Sequence, residues 1–307
     1  MEKIKTSKTT NTSSILFVLA SGCMWGCMGL VVRPLNSIGL ETMDICFLRS
    51  VITFVVMLVG LLAFDRSALK INIKDIWCFI GTGAFSVSFF NFCYFKTITL
   101  TSLSVAAVLL YTAPAFVMIM SFFLFKEDMT KKKVAALVIA FVGCILVSGV
   151  VGGSGALNAK GLLVGLGAGF GYALYSIFGR YALQRGYSSL TITFYTFVFA
   201  TLATVFMTDI SSVFNIVGMH PRIGMYAAFM ILFVTLFPYL CYTKGLSGME
   251  NGTASVIASV EPVMATVLGI LIYKEKMTFV NAFGMILVLA SIVILNSKVK
   301  EGNKGRS

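Results

Sequence analysis

Ten apolar stretches follow one another along this chain, each near the length that crosses a bilayer, with only short connections between them. They run at about 14–33, 43–64, 75–95, 102–125, 133–151, 160–183, 189–208, 223–243, 253–273 and 279–296. A hydrocarbon core takes about 20 apolar residues of helix. Lipid offers no partner to open backbone groups, so each stretch is read as a helix. Composition closes off the soluble alternative: 58% of the residues are hydrophobic and only 12% charged, where a soluble domain carries about a quarter charged. The sequence predicts an all-α polytopic membrane protein with lipid as its main solvent and no room for a soluble domain.

The halves of the chain repeat. At a shift of 148 residues, Tyr94 falls on Tyr242, Lys96 on Lys244, Ala106 on Ala254, Val108 on Val256 and Pro114 on Pro262. Lys126-Glu127 falls on Lys274-Glu275, and Met129-Thr130 on Met277-Thr278. At a shift of 147, Gly22 meets Gly169, Trp25 meets Tyr172 and Arg33 meets Arg180. The expected units are residues 14–151 and 160–296, five helices each. Five crossings leave the chain on the far side, so the second unit enters inverted. Inverted repeats are a recurrent plan of secondary transporters, with the solute near the midplane where the repeats meet.

Charge placement sets the expected orientation. With both termini cytoplasmic, 17 of the 24 Lys and Arg fall inside, as the positive-inside tendency requires. A nucleic-acid surface would interleave basic and aromatic residues on a soluble face, and none is present. The seven cysteines lie in or beside apolar runs and read as small buried hydrophobes. The single histidine, His220, lies in a loop, so neither a Ser/His catalytic pair nor a multi-histidine metal site is readily built. No catalytic residues, metal ligands or cofactor are expected. Ala20-Ser21-Gly22-Cys23 looks like a lipoprotein cleavage site, but the apolar run continues to Val32, as in a retained helix.

The stretch Ser255 to Tyr273 holds one charge, Glu261, directly before Pro262. Proline removes a backbone donor and clashes with the carbonyl four residues back, here Ala258, and Leu110 for Pro114. Pro114 and Pro262 are therefore candidate hinges, with a plain packing kink as the alternative. An acid at mid-membrane costs about 2.5–3.5 kcal/mol on insertion scales. Glu261 must face the bundle interior, as a cation or ammonium contact, a proton carrier, or a structural acid. Its repeat partner is Ala113. Polar-tipped residues within the helices complete the candidate solute-binding set: Trp25, Asn91, Tyr94, Tyr111, Tyr172, Tyr175 and Tyr239 with Glu261, and Tyr242 shares their pattern. Interface anchoring is the competing explanation for any one aromatic. Gly161, Gly165 and Gly169, echoed by Gly22 and Gly26, read as close helix packing rather than ligand contacts. Lys126-Glu127 and Lys274-Glu275 read as turns and interface anchors, and Thr130 and Thr278 as caps of the helices that follow.

The segments AAVLLYTAPAFVMIMSFFLFKEDMT (106 to 130) and ASVIASVEPVMATVLGILIYKEKMT (254 to 278) resemble the EamA-type permeases of the drug/metabolite transporter superfamily. The resemblance extends from about residue 15 to 296. It implies a cytoplasmic-membrane carrier, in many cases an exporter of amino acids and related metabolites. The family's acid-proline pattern falls on Glu261-Pro262 and its helix-ending acids on Glu127 and Glu275, while Ala113 departs from it. The expected activity is alternating-access movement of a small-molecule solute, with protons among the candidate coupling ions, by a monomer or homodimer. The rival readings are an intramembrane enzyme and a non-transporting membrane scaffold or sensor.

Overall fold

The computed structural model describes residues 11–148, 150 and 159–297, which form helices and turns without a strand among them. Nine of the helices described are long and apolar enough to cross a membrane. The first to fourth run Thr12–Ser37, Thr42–Phe64, Ile73–Leu100 and Leu103–Phe125. The sixth to tenth run Ala159–Gln184, Ser189–Met207, Pro221–Leu246, Asn251–Tyr273 and Phe279–Asn296. The fifth, Lys131–Val147, is 17 residues long and packs along the tenth. Thr130 and Thr278 cap the fifth and tenth helices: their hydroxyls accept from Lys133 N at 3.2 Å and Asn281 N at 3.1 Å. Each thus satisfies one donor that a helix start leaves open.

The connection between the seventh and eighth helices holds a helix of its own. Ile210–Met219 forms a short helix between the seventh and eighth, started by the Asp209 carboxylate on Ser212 N at 3.2 Å. Ten residues rise only about 15 Å, too little to cross. Its Val213 is buried against Val31 and Leu35, while Phe214 and Met219 stay exposed.

Both prolines sit at breaks rather than at kinks in continuous helices. The fourth helix is two pieces, Leu103–Leu110 and Ala113–Phe125, and the ninth is Asn251–Ala258 and Glu261–Tyr273. Pro114 and Pro262 each occupy the first turn of the second piece. A first-turn residue has no intrahelical acceptor for its N–H, so proline there starts a helix at no cost in hydrogen bonds. The chain resets two residues before the proline: Leu109 O receives Thr112 N at 3.2 Å and Ile257 O receives Val260 N at 3.2 Å.

Further interruptions lie outside the two proline breaks. The third helix widens to π geometry over Gly81–Ser88 and the eighth over Leu232–Leu236, just before Pro238. A shift of 148 superposes Ala84–Ser88 on the second of these, so the two units share this device as well. The first helix breaks at Cys27-Met28, between Thr12–Gly26 and Gly29–Ser37. Its counterpart Ala159–Gln184 is continuous.

Candidate functional site

Two close approaches hold the broken helices in place. Gly22 and Gly26 of the first helix lie against the break of the ninth: a Cβ on Gly22 would sit 2.9 Å from Ala258 O and 2.6 Å from Val260 Cγ1. Gly165 and Gly169 of the sixth lie against the break of the fourth, where a Cβ on Gly169 would sit 2.8 Å from Leu109 O. Small residues let backbones meet in lipid, as the glycine spacing implied. Each unit's opening helix therefore clasps the broken helix of the other unit, and the breaks converge on the molecule's centre.

There the side chains form two adjoining groups. Trp25 is buried among Tyr172, Tyr239 and Tyr242, its ring centroid 6.1, 5.3 and 5.4 Å from theirs. Tyr175 stacks edge-on to Tyr239 at 4.9 Å. The Thr243 hydroxyl donates to Tyr239 O, so it accepts from Tyr175 Oη at 2.7 Å. Ser176 Oγ and Tyr242 Oη are 2.8 Å apart. Trp25, Ser86, Phe90 and these tyrosines surround a cavity of about 10 Å³. A second cavity, of about 20 Å³, lies between the breaks, against Tyr111, Pro114, Tyr172, Ser255, Ser259 and Glu261. Tyr172 borders both, and its hydroxyl points to Glu261 Oε2 at 3.4 Å. One water needs about 10–15 Å³ of such space, so this conformation is shut around the centre.

Glu261 opens the helix Glu261–Tyr273. A carboxylate in a first turn gains from the positive end of the helix, up to about 2 kcal/mol where partly buried. That offsets most of the cost of an acid at this depth. Ala113 begins the equivalent helix in the other unit without an acid. The centre is thus electrically lopsided, with one helix start carrying its own anion and the other bare.

The candidate residues separate. Trp25, Tyr111, Tyr172, Tyr175, Tyr239 and Glu261, with Pro114, line the two cavities or stand beside them. Pro262 is buried at the ninth helix's break. Tyr94 packs on Phe90 at 5.9 Å, one residue removed from the first cavity. Asn91 is buried, but its amide donates to Val87 O of its own helix at 2.7 Å and it lines neither cavity. Tyr242 and Ser176, outside the candidate set, take part in the aromatic group.

Arg180 was legible only as the repeat partner of Arg33, yet it anchors a buried network. Tyr172, Tyr175, Ser176 and Arg180 fall on one face of the sixth helix, at the spacing that stacks neighbours. Arg180 Nε donates to Asn251 Oδ1 at 2.7 Å, and its Nη2 donates to Met249 O. Glu127 accepts from Asn251 N at 2.8 Å and Gly252 N at 3.1 Å, so an acid of the first unit caps the ninth helix in the second. Burial pushes the Glu127 carboxyl above its ordinary value, against the pull of those two N–H groups.

The family model described as "EamA-like transporter family" matches the chain twice, over residues 12–149 and 159–297. The chain is similar to the protein named "Uncharacterized transporter YetK" of Bacillus subtilis, with 26% identity over 83% of this chain and 78% of that relative. It is also similar to an "Uncharacterized transporter" of Archaeoglobus fulgidus, 29% identical over 75% of this chain and 80% of the relative. A solved structure shares its fold at a TM-score of 0.75 and 18% identity, covering 93% of this chain and 97% of that one.

Proposed function

We propose, from the premise that the chain belongs to the EamA-like transporter family, that it is a secondary transporter exporting amino acids or related small metabolites by alternating access. The observation that carries this reading is the meeting of the two broken helices around Tyr172 and Glu261, under an aromatic wall headed by Trp25. Interrupted helices in corresponding positions of two halves mark the transport site in inverted-repeat carriers. An amino-acid ammonium would find the Glu261 carboxylate and the ring faces of Trp25 and the tyrosines, which attract cations. Its carboxylate would find the bare helix start at Ala113. Pro114 and Pro262 serve as the points where the second pieces swing.

The test uses purified protein in proteoliposomes loaded with single radiolabelled amino acids and related metabolites. Counterflow of at least one of them is expected. No flux for any member of the panel, with reconstitution verified, rejects the substrate class. Inside-out and right-side-out vesicles then report the direction.

We place the protein in the cell membrane with both termini cytoplasmic. Lys131→Cys and His220→Cys, each in a cysteine-free background, are expected to label from opposite sides. His220→Cys reacts with an impermeant maleimide in intact cells and Lys131→Cys only after lysis. The reverse pattern inverts the topology, and equal labelling rejects the ten-helix arrangement.

A further inference from the structure

The helix-ending acids occupy equivalent positions, but they are not in equivalent states. Lys126 and Lys274 both adopt left-handed backbone, φ 57° and 58°, a conformation costly to a residue with a side chain. In each unit two successive N–H groups then converge on one carbonyl. Those of Lys126 and Glu127 return to Ser121 O, and those of Lys274 and Glu275 to Gly269 O. The two acids therefore leave their helices in the same way. Each also has an arginine of the other unit's opening helix in reach: Glu275 pairs with Arg33, and Glu127 shares Asn251 with Arg180.

Beyond that point the symmetry fails. Glu127 caps the start of the ninth helix, Asn251 Nδ2 is held by Ser121 Oγ at 3.1 Å, and Lys133 pairs with Glu250 beside them. Arg180 is only 6% exposed. At the other end, Arg33 Nη2 meets Glu275 Oε1 at 2.6 Å with both side chains about half exposed. The Arg33 guanidinium lies 3.8 Å over the Tyr273 ring. Beneath that pair is a cavity of about 80 Å³ lined by Gly26, Gly29, Ala265, Leu268 and Gly269. The fourth helix, whose start is the counterpart of Asn251-Gly252, is capped by its own Ser102, whose hydroxyl accepts from Val105 N at 3.2 Å.

We propose that Arg180–Asn251–Glu127 and Arg33–Glu275 are the two latches of the transport cycle, one at each membrane face, engaged in turn. The inference rests on the transporter reading above. In the described conformation the Glu127 latch is locked and the Glu275 latch is only thinly closed. In the opposite conformation Glu275 moves onto the start of the fourth helix at Leu103-Ser104, displacing Ser102. Glu127 then releases Asn251 and Gly252 and forms an exposed pairing with Arg180. These four charged residues set which face is open and do not themselves select the solute.

The test reads side-specific accessibility in a cysteine-free full chain, in sealed proteoliposomes without any solute. Ala265→Cys reports the cavity under Arg33, and Ser255→Cys reports the cavity between the breaks. Arg33→Gln or Glu275→Gln is expected to raise impermeant-maleimide labelling of Ala265→Cys from its face by about two- to fivefold, the range an exposed pair's coupling permits. Glu127→Gln is expected to move the reporters oppositely: Ser255→Cys gains labelling from the other face by more than about tenfold, because a buried network is lost, and Ala265→Cys loses it. Should Glu127→Gln fail to fold, Arg180→Lys keeps the charge but cannot fork between Asn251 and Met249, and produces the same opposed shift at smaller size. The exchange Arg33→Glu with Glu275→Arg restores the parent pattern. Reporters that rise together, or that stay unchanged in both latch variants, overturn the proposal. Because labelling needs no solute, that result leaves the substrate reading to be judged by flux alone.

Discussion

Glu261→Gln is expected to fold normally and to transport about 10- to 100-fold more slowly, the cost of losing one charged hydrogen bond of about 1.5–3 kcal/mol. Glutamine keeps the volume, and its amide oxygen still accepts from Tyr172 Oη, now 3.4 Å from Oε2. What it loses is the charge at the start of Glu261–Tyr273. If Glu261 instead carries a proton through the cycle, the Gln variant loses the pH dependence of transport, and that loss at saturating solute identifies the role. A purely structural acid predicts the reverse pattern: Gln passes, while Ala leaves Tyr172 unpaired and lowers thermal stability. Proteoliposome flux against pH, with melting curves for wild type, Gln and Ala, separates the outcomes. A wild-type rate and pH profile in the Gln variant removes Glu261 from the transport site.

The second large effect concerns a residue with no side chain. Gly169→Ala places a methyl 2.8 Å from Leu109 O and against the Thr112 hydroxyl, at the break of the fourth helix. Backbone cannot yield as a flexible side chain does, so the cost falls at or above the usual 1–3 kcal/mol of overpacking, about 3 kcal/mol. The control is two residues away. Gly167→Ala meets only Cys93 Sγ at 3.4 Å and Phe89 at 3.8 Å, and Gly to Ala within a helix gains about 1 kcal/mol of propensity. Melting in detergent is expected to fall clearly for Gly169→Ala and to hold or rise for Gly167→Ala. Equal effects at the two positions refute the clasp between the sixth helix and the fourth. Gly22→Ala, facing Ala258 O and Val260, should behave as Gly169→Ala does.

Part of the centre was readable from residues alone. Pro114 and Pro262 mark both breaks, and Glu261 announces itself because a lone acid in an apolar run has to face the interior. The caps at Thr130 and Thr278 follow from local chemistry, since a hydroxyl before a helix satisfies a donor in the same turn. Other features left no such trace. The π segment at Gly81–Ser88 has no proline within it and looks like ordinary apolar helix in sequence. Asn91 carried the pattern of a site residue, yet its amide is satisfied one turn back. Nothing local distinguishes it from Ser176, which does reach the aromatic group.

What the sequence by itself determined is the solvent, the number of helices, the duplication, and the two helix breaks that Pro114 and Pro262 mark. These are consequences of hydropathy and of each residue's own donors, and neither depends on neighbours distant in the chain. The tertiary structure alone decided which tyrosines meet Trp25, that Glu127 caps a helix of the other unit, and that Arg180 is buried while Arg33 is half exposed. Those facts depend on how each helix is rotated about its axis and how deep it sits against another. Backbone contacts such as Gly169 on Leu109 and Gly22 on Ala258 set that rotation, between residues far apart in the sequence. The same contacts leave two related units packed differently, with Glu127 on a helix start beside the buried Arg180 and Glu275 in a half-exposed pair with Arg33.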